Sequence, residues 1–271
     1  MPDCDVLVVG AGRAGTAAAR AAEDSGLAVT VLEKTAGSRA SRLVTEAGRV
    51  TGVVLEDGRS FSARRRVVLA TGGYESDPVL TRRFEDVPDL QSAYPPGATG
   101  DGLRMGGAVG ACVHLVRNNP NIKLGYRRAG AFVTATEELA RAHAIVVNRF
   151  GRRFGNDADP RELAPALRAF DAPTRTFTNV PCWLIYDRQY VERWGHDAAA
   201  QPVENVPISA AGLAATLERT LSVPPFFAIQ LHPSITSSAG LAADKEGRVL
   251  NWRGHVIPGL YAVGRVAVHV E

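Results

Sequence analysis

Residues 5–33 read DVLVVGAGRAGTAAARAAEDSGLAVTVLE, and this stretch decides the fold. Asp5 to Val9 is a short apolar run without helical periodicity, the pattern of a strand buried in a parallel sheet. It leads directly into Gly10-Ala-Gly12-Arg-Ala-Gly15, then an Ala-rich stretch, then Ser25-Gly26. A second apolar run, Ala28 to Leu32, ends at Glu33. Strand, glycine turn, helix and strand thus follow one another within about thirty residues. The three glycines serve different ends. Gly10 permits the tight turn, Gly12 lets a diphosphate approach the backbone, and Gly15 lets the helix lie close to the strand. The phosphates then meet the free N–H groups and the positive dipole end of the helix. Glu33 ends the second strand, where a carboxylate accepts hydrogen bonds from ribose hydroxyls. An acid there favours the unphosphorylated ribose of FAD or NAD over that of NADP. In a chain with 27 glycines a GxGxxG alone also reads as a flexible turn. The flanking strands, the helix and the terminal acid are what select nucleotide binding.

The remaining composition sets bounds on this reading. With 271 residues, 45% hydrophobic and 22% charged, the chain is long enough for one large or two modest globular domains, and disordered or disulfide-stapled classes are excluded. A net charge of +3 is too small to argue for a nucleic-acid partner, and runs such as Arg64-Arg65-Arg66 and Arg82-Arg83 read as solvated faces. Cys4, Cys112 and Cys182 are odd in number and form no CxxC pair, so no zinc site or disulfide framework is expected and reducing surroundings fit best. No apolar run approaches the length of a membrane span, and nothing resembles a signal peptide. The expectation is a cytoplasmic protein without a membrane span.

Beyond Glu33, residues 40–70 alternate as strands (SRLVTEAG, RVTGVVLEDG, RSFSA, RRRVVLATGG) with turns at Gly48 and Asp57-Gly58, a β-meander that returns to a buried strand. The meander followed by Val67-Val68-Leu69-Ala70-Thr71-Gly72-Gly73 resembles the second nucleotide contact of flavoproteins with this fold. Ile257-Pro258-Gly259-Leu260-Tyr261-Ala262-Val263-Gly264 resembles the third. Gly97-Ala-Thr99-Gly100-Asp101-Gly102 resembles the ATGDG turn and helix of the fumarate reductase and 3-ketosteroid Δ1-dehydrogenase flavoprotein family. Val146-Val147-Asn148-Arg-Phe-Gly151-Arg152-Arg153-Phe154-Gly-Asn156-Asp157 is similar to the VN-x-x-G-x-RF-x-NE signature of that family. Pro224 to Ile229 and Asp244 to Leu250 resemble the strands that lead to the last motif.

The resemblance implies an α/β fold: a Rossmann-like FAD-binding domain with a β-meander over residues 1–103 and 223–271, plus an inserted α+β substrate or capping domain over 104–222. It implies FAD as cofactor, held by Gly10, Gly12, Gly15, Glu33, Lys34, Ala70, Thr71, Gly72, Asp101 and Gly264. It also implies oxidoreduction of a CH–CH bond beside a carbonyl or carboxylate, with hydride exchanged at flavin N5. The partners are then a small-molecule substrate (a steroid-like ketone, an enone or a carboxylate) and an electron donor or acceptor that the sequence does not identify. Two alternatives remain open: an NAD-dependent dehydrogenase built on the same fold start, and a non-catalytic nucleotide-binding remnant.

Two residues are candidates for proton handling. Read against the signature without a gap, Arg161 falls where fumarate-reductase-type members carry a proton-delivering arginine, with Asp157 and Asp159 nearby. Following Pro160, it reads also as a solvated residue in a first helical turn. His232, in Leu231-His232-Pro233-Ser234-Ile-Thr236-Ser237-Ser238, can hydrogen-bond a substrate oxygen or be structural. The adjacent His pair of fumarate reductases is absent, which disfavours a small dicarboxylate. The Ser/Thr cluster reads as a carbonyl contact or a turn, and Tyr74, Tyr94 and Tyr126 are proton donors that no motif selects. Compared with the family, the sequence is short after Lys34, after Arg219 and after Gly264, and Arg265 stands where relatives carry Asn or Asp to hold the ribityl-phosphate chain. The expectation is that mobile flavin-contacting segments are omitted from the sequence, rather than that the protein is minimal.

Overall fold

Val6, Leu7, Val8 and Val9 are all buried, so strand β1 (Cys4–Val9) is covered on both faces, as its unbroken apolar run requires. A computed structural model describes residues 3–117, 119–157 and 159–270, with the side chains of Pro160, Arg161 and Arg219 outside the described set. Elements are numbered along the chain. The residues form two units, Met1–Glu85 with Tyr94–Arg117 and Ser237–Glu271, and Asp86–Ala93 with Asn118–Thr236.

In the first unit, helix α1 (Arg13–Asp24) connects β1 to the parallel strand β2 (Val29–Leu32). Its alanines permit a close approach: Ala19 packs in a cluster with Val6, Val8, Val68 and Ala70. The meander follows as β3 (Ala40–Glu46), β4 (Arg49–Leu55) and β5 (Ser60–Leu69). The expected separate strands RSFSA and RRRVVLA are one ten-residue strand. Ser62-Ala63-Arg64-Arg65 contains no Gly, Pro, Asn or Asp to turn the chain, so the extended backbone runs on. The first part of β5 pairs antiparallel with β4, and its end pairs parallel with β1.

Helix α2 (Pro78–Phe84) starts at Asp77, whose carboxylate accepts the N–H groups of Val79 and Leu80. Helix α3 (Asp101–Ala108) starts at Gly100, which has φ +68°. The unit is completed by β6 (Val113–Leu115), β15 (Ala239–Ala243), β16 (Arg248–Leu250), β17 (Val256–Ala262) and β18 (Ala267–His269). The sheet order is β18-β15-β16-β17-β5-β1-β2, with β4 also on β5 and β6 on β15. Leu7, Val53, Val67, Leu69, Leu241, Val249 and Leu260 form its core, each fully inaccessible to solvent.

The second unit contains β7 (Ile122–Arg128), β8 (Ala131–Thr134), α4 (Thr136–Leu139), β9 (Ala144–Asn148), α5 (Pro160–Leu167), β10 (Phe170–Asp171) and β11 (Thr176–Phe177). Then come β12 (Cys182–Tyr186), α6 (Arg188–Trp194), β13 (Gln201–Pro202), α7 (Ala210–Thr220) and β14 (Phe227–Ile235). Its main sheet is antiparallel, in the order β8-β7-β14-β12-β9, with β13 also on β14. All five residues of β12 are buried because both faces of the sheet are covered. Cys182, Leu184 and Tyr186 join the cluster around Leu124, Tyr126 and Leu231. The alternate residues Trp183 and Ile185 join one that includes Leu213 of α7.

Both units are therefore mixed α/β structures built on multistranded sheets. No helix among the described residues is long and apolar enough to cross a membrane.

Candidate functional site

Four strands of the first unit end in register. Leu32 of β2 is opposite Val9 of β1, Val9 is opposite Leu69 of β5, and Leu69 is opposite Ala262 of β17. Each of these residues is followed by one from the motifs: Glu33, Gly10, Ala70 and Val263, the last leading into Gly264. At about 4.8 Å per strand, the row from Glu33 to Val263 spans roughly 14 Å. This is the carboxyl edge of a parallel sheet, where α/β folds take their ligands.

The local backbone there follows from the glycines. Gly10 has φ +106°, and a Cβ on it would lie 2.4 Å from the Ala70 carbonyl oxygen. A Cβ on Gly15 would lie 1.9 Å from the Gly10 carbonyl oxygen, so α1 can touch the end of β1 only without a side chain there. Gly12, at the N-cap of α1, differs. Its φ is −69°, and a Cβ would meet nothing within 4 Å.

A cavity of about 460 Å³ opens above this edge. It is lined by Gly10, Gly12, Glu33, Lys34, Ala70, Thr71, Gly72, Asp101 and Gly264. Gly15 stands behind it as the contact that holds α1 in place. The structure thus gathers every residue of the expected cofactor set around one cavity, from stretches of sequence over two hundred positions apart.

The charged residues in this cavity are held in place. Glu33 accepts the N–H of Ala11 on Oε2 (2.8 Å) and that of Thr35 on Oε1 (3.1 Å). Burial pushes its carboxyl up, but these N–H donors outweigh the burial and hold it below its ordinary value. Asp101, in the first turn of α3, accepts from Lys34 Nζ (2.9 Å), Arg39 Nη2 (2.9 Å) and the Thr99 hydroxyl (3.0 Å). Burial is again opposed by Arg39 and Lys34, and the net shift of Asp101 is downward.

Three features of the cavity suit a dinucleotide. The N-terminus of α1 has no side-chain cap among the described residues, so its N–H groups are available to an anion. The Thr71 hydroxyl is buried with no partner among the described residues. The space beside Gly12 is open. These residues fit an FAD whose adenosine ribose lies at Glu33 and whose diphosphate lies at α1.

Among the lining residues outside the expected set are Arg39 and Arg265. Arg39 follows the Glu33 strand closely in sequence, but only the fold brings it to Asp101. Arg265, in the turn Gly264–Val266, donates from Nη1 to Glu75 Oε1 (2.6 Å) and lies 3.9 Å over the Tyr94 ring.

The expected proton-handling residues belong to the other unit. His232, on β14, has Nδ1 2.6 Å from Asp89 Oδ2, a pairing across 143 positions that no sequence pattern signals. Arg161 lies at the start of α5, and its side chain falls outside the described residues. Asp157 is buried, accepts the Val146 N–H and pairs with Arg153; burial raises its pKa.

Ser237 and Ser238 are engaged within the first unit. Ser237 Oγ accepts the Tyr74 N–H, and Ser238 Oγ donates to Glu85 Oε2 (2.6 Å). The Tyr74 hydroxyl donates to Glu85 and the Tyr126 hydroxyl to Asp197. Burial, reinforced by those carboxylates, raises both phenols well above their ordinary value. No group of three or more His, Cys, Asp or Glu among the described residues is arranged to hold a metal ion.

The sequence profile of the family described as the FAD binding domain matches residues 35–271, most of the chain. The chain belongs to that family. FAD is accordingly the cofactor of this FAD-binding chain. Among its relatives, 4-oxocyclohexanecarboxylate 2-dehydrogenase of Sinomonas cyclohexanicum is 29% identical over 81% of the chain and 49% of its own length. The 3-oxosteroid 1-dehydrogenase of Mycolicibacterium smegmatis is 26% identical over 83% of the chain and 52% of its own length. The FAD-binding chain thus spans about half the length of these relatives. The crystal structure of 3-ketosteroid Δ1-dehydrogenase from Sterolibacterium denitrificans superposes with a TM-score of 0.75 at 22% identity, over 92% of this chain and 56% of that one, which shows the shared fold.

Proposed function

We propose that this protein is an FAD-dependent oxidoreductase acting on a CH–CH bond adjacent to a carbonyl or carboxylate. The observation that carries the reading is the single cavity at the carboxyl ends of β2, β1, β5 and β17, which collects Glu33, the α1 N-terminus, Thr71 and Asp101 in a chain whose family binds FAD. The unit formed by residues 1–85, 94–117 and 237–271 is the FAD-holding part, and the unit formed by 86–93 and 118–236 supplies substrate-handling groups.

When bound, FAD supplies hydride exchange at N5. Glu33 accepts hydrogen bonds from the adenosine ribose. Gly10 and Gly12 leave room for the diphosphate over the uncapped N-terminus of α1. Gly15 and Gly264 keep α1 and the Gly264 turn in place. Thr71, between Ala70 and Gly72, lines the cavity with its hydroxyl packed toward Gly102 of α3, and Lys34 orients Asp101.

Proton exchange on the carbon next to the hydride-transfer carbon falls to His232 or Arg161. Asp89 favours His232: with Nδ1–H donated to that carboxylate, Nε2 is left to take up or release a proton. The relatives direct the choice of substrate to cyclic ketones, either a small oxo-carboxylic acid or a 3-oxosteroid. An NAD-dependent dehydrogenase and a non-catalytic remnant are less consistent with the family match.

The test has two stages. Visible absorbance of the purified protein, or of apoprotein titrated with FAD, reports cofactor binding; absence of a flavin complex refutes the reading. The flavin-loaded protein is then screened with a dye acceptor against 3-ketosteroids, 4-oxocyclohexanecarboxylate, simple enones and fumarate-like diacids. Dye reduction with a cyclic ketone is the expected result, and no turnover with any of them refutes the proposed activity.

A further inference from the structure

We propose that Arg265 is a phosphate-binding arm that holds the diphosphate of FAD together with the N-terminus of helix α1. The inference rests on the FAD reading above and concerns a residue at which this chain departs from the Asn or Asp of its relatives.

Arg265 is well placed for this role. It lies two residues past Val263, at the far end of the row that begins at Glu33. Its neighbour Gly264 is pressed against the first turn of α1: a Cβ on Gly264 would lie 2.8 Å from the Ala14 Cβ. The Arg265 side chain turns back along the row toward the end of β5, where Nη2 lies 3.5 Å from the point a Gly72 Cβ would occupy. It lines the same cavity as Gly12, Arg13 and Thr71. A dinucleotide with its ribose at Glu33 and its diphosphate at the α1 N-terminus passes this guanidinium on the way to its flavin half.

The side chain is also preorganised. One face of the guanidinium is stacked 3.9 Å from the Tyr94 ring, and Nη1 is tied to Glu75. The Glu75 side chain is 2% exposed and is fixed through the same oxygen by the Ser237 N–H (3.2 Å), while Oε2 has no partner among the described residues. Arg265 itself is a third exposed, so the pair is an anchored cation at the cavity wall with an edge left for a ligand. A planar donor fork suits phosphate oxygens, and holding it in advance lowers the ordering cost on binding. The competing explanation is that Arg265 serves only to neutralise Glu75.

The test measures FAD affinity by quenching of flavin fluorescence in the wild type, Arg265→Gln, Arg265→Lys and the double variant Glu75→Gln/Arg265→Gln. Arg265→Gln is expected to weaken FAD roughly tenfold to a hundredfold, the value of a charge-assisted hydrogen-bond pair. Arg265→Lys is expected to retain part of the affinity. The double variant stays as weak as Arg265→Gln, and wild-type affinity falls more steeply with added salt than that of the variants lacking the charge. Affinity of Arg265→Gln within about threefold of wild type overturns the proposal (a factor worth well under 1 kcal/mol). So does recovery of wild-type affinity in the double variant, which assigns Arg265 to neutralising Glu75. Equal weakness of the Lys and Gln variants at low salt also overturns it. A wild-type protein that binds no FAD instead refutes the underlying cofactor reading, and the proposal with it.

Discussion

Adding one methyl group at Gly12 or at Gly15, three positions apart, is expected to have opposite consequences. At Gly15 the new Cβ meets the Gly10 carbonyl oxygen at 1.9 Å and the Ala70 Cβ at 3.1 Å, and the first contact is backbone that has no rotamer to escape into. Alanine gains about 1 kcal/mol of helix propensity over glycine. Forcing an atom into a packed contact costs about 1–3 kcal/mol, here at the upper end. Gly15→Ala should therefore lose about 2 kcal/mol, a fall in Tm of roughly 4–8 °C at this chain size. At Gly12 the backbone is in an ordinary region, with φ −69° and ψ −176°, and the methyl meets nothing within 4 Å. The loss of a glycine N-cap, about 0.5–1 kcal/mol, is offset by about as much reduction in unfolded-chain entropy. Gly12→Ala should leave the stability of FAD-free protein unchanged to within about 0.5 kcal/mol. It should still weaken FAD by roughly tenfold to a hundredfold, because the methyl takes the space of the diphosphate. Thermal denaturation with and without FAD, together with FAD titration, separates the two. Gly12→Ala with wild-type FAD affinity, or with a loss of stability equal to that of Gly15→Ala, refutes the placement of the diphosphate.

Thr71→Val removes a buried hydroxyl that has no partner among the described residues, so FAD-free protein should be unchanged or stabilised by up to about 1 kcal/mol, as read by melting curves. His232→Gln should abolish dye reduction and leave FAD affinity intact, and Asp89→Asn should lower turnover while costing less than about 1 kcal/mol of stability, since the pair is partly exposed. Unchanged turnover in His232→Gln transfers the proton role to Arg161. Asp157 is a carboxyl whose folded pKa is raised by burial, so the folded state holds its proton more tightly than the unfolded one. Its contribution to stability therefore declines as pH rises from the ordinary value of 3.8 through the raised one. Asp157→Asn should remove that decline, as measured by denaturant unfolding across acidic pH.

The first βαβ unit was legible because each of its signals is local. An apolar run, three glycines at fixed spacing, an alanine-rich helix and a terminal acid each specify backbone or burial within a few residues, and the structure forms β1, α1 and β2 from them. The meander and the last strand were legible for the same reason, except that β5 runs unbroken through the point where two strands were expected.

What the amino-acid sequence determined by itself, then, is the first βαβ unit, most of the meander and the last strand, and the residues that line one cavity at their ends. Only the tertiary structure decided which side chains hold one another. Lys34 and Arg39 meet on Asp101 across more than sixty positions, His232 meets Asp89, and Arg265 meets Glu75 across 190. Local periodicity carries no information about such pairs. They form because strand register places chain ends side by side, and because a charged group leaving water is stable only where the fold supplies a partner.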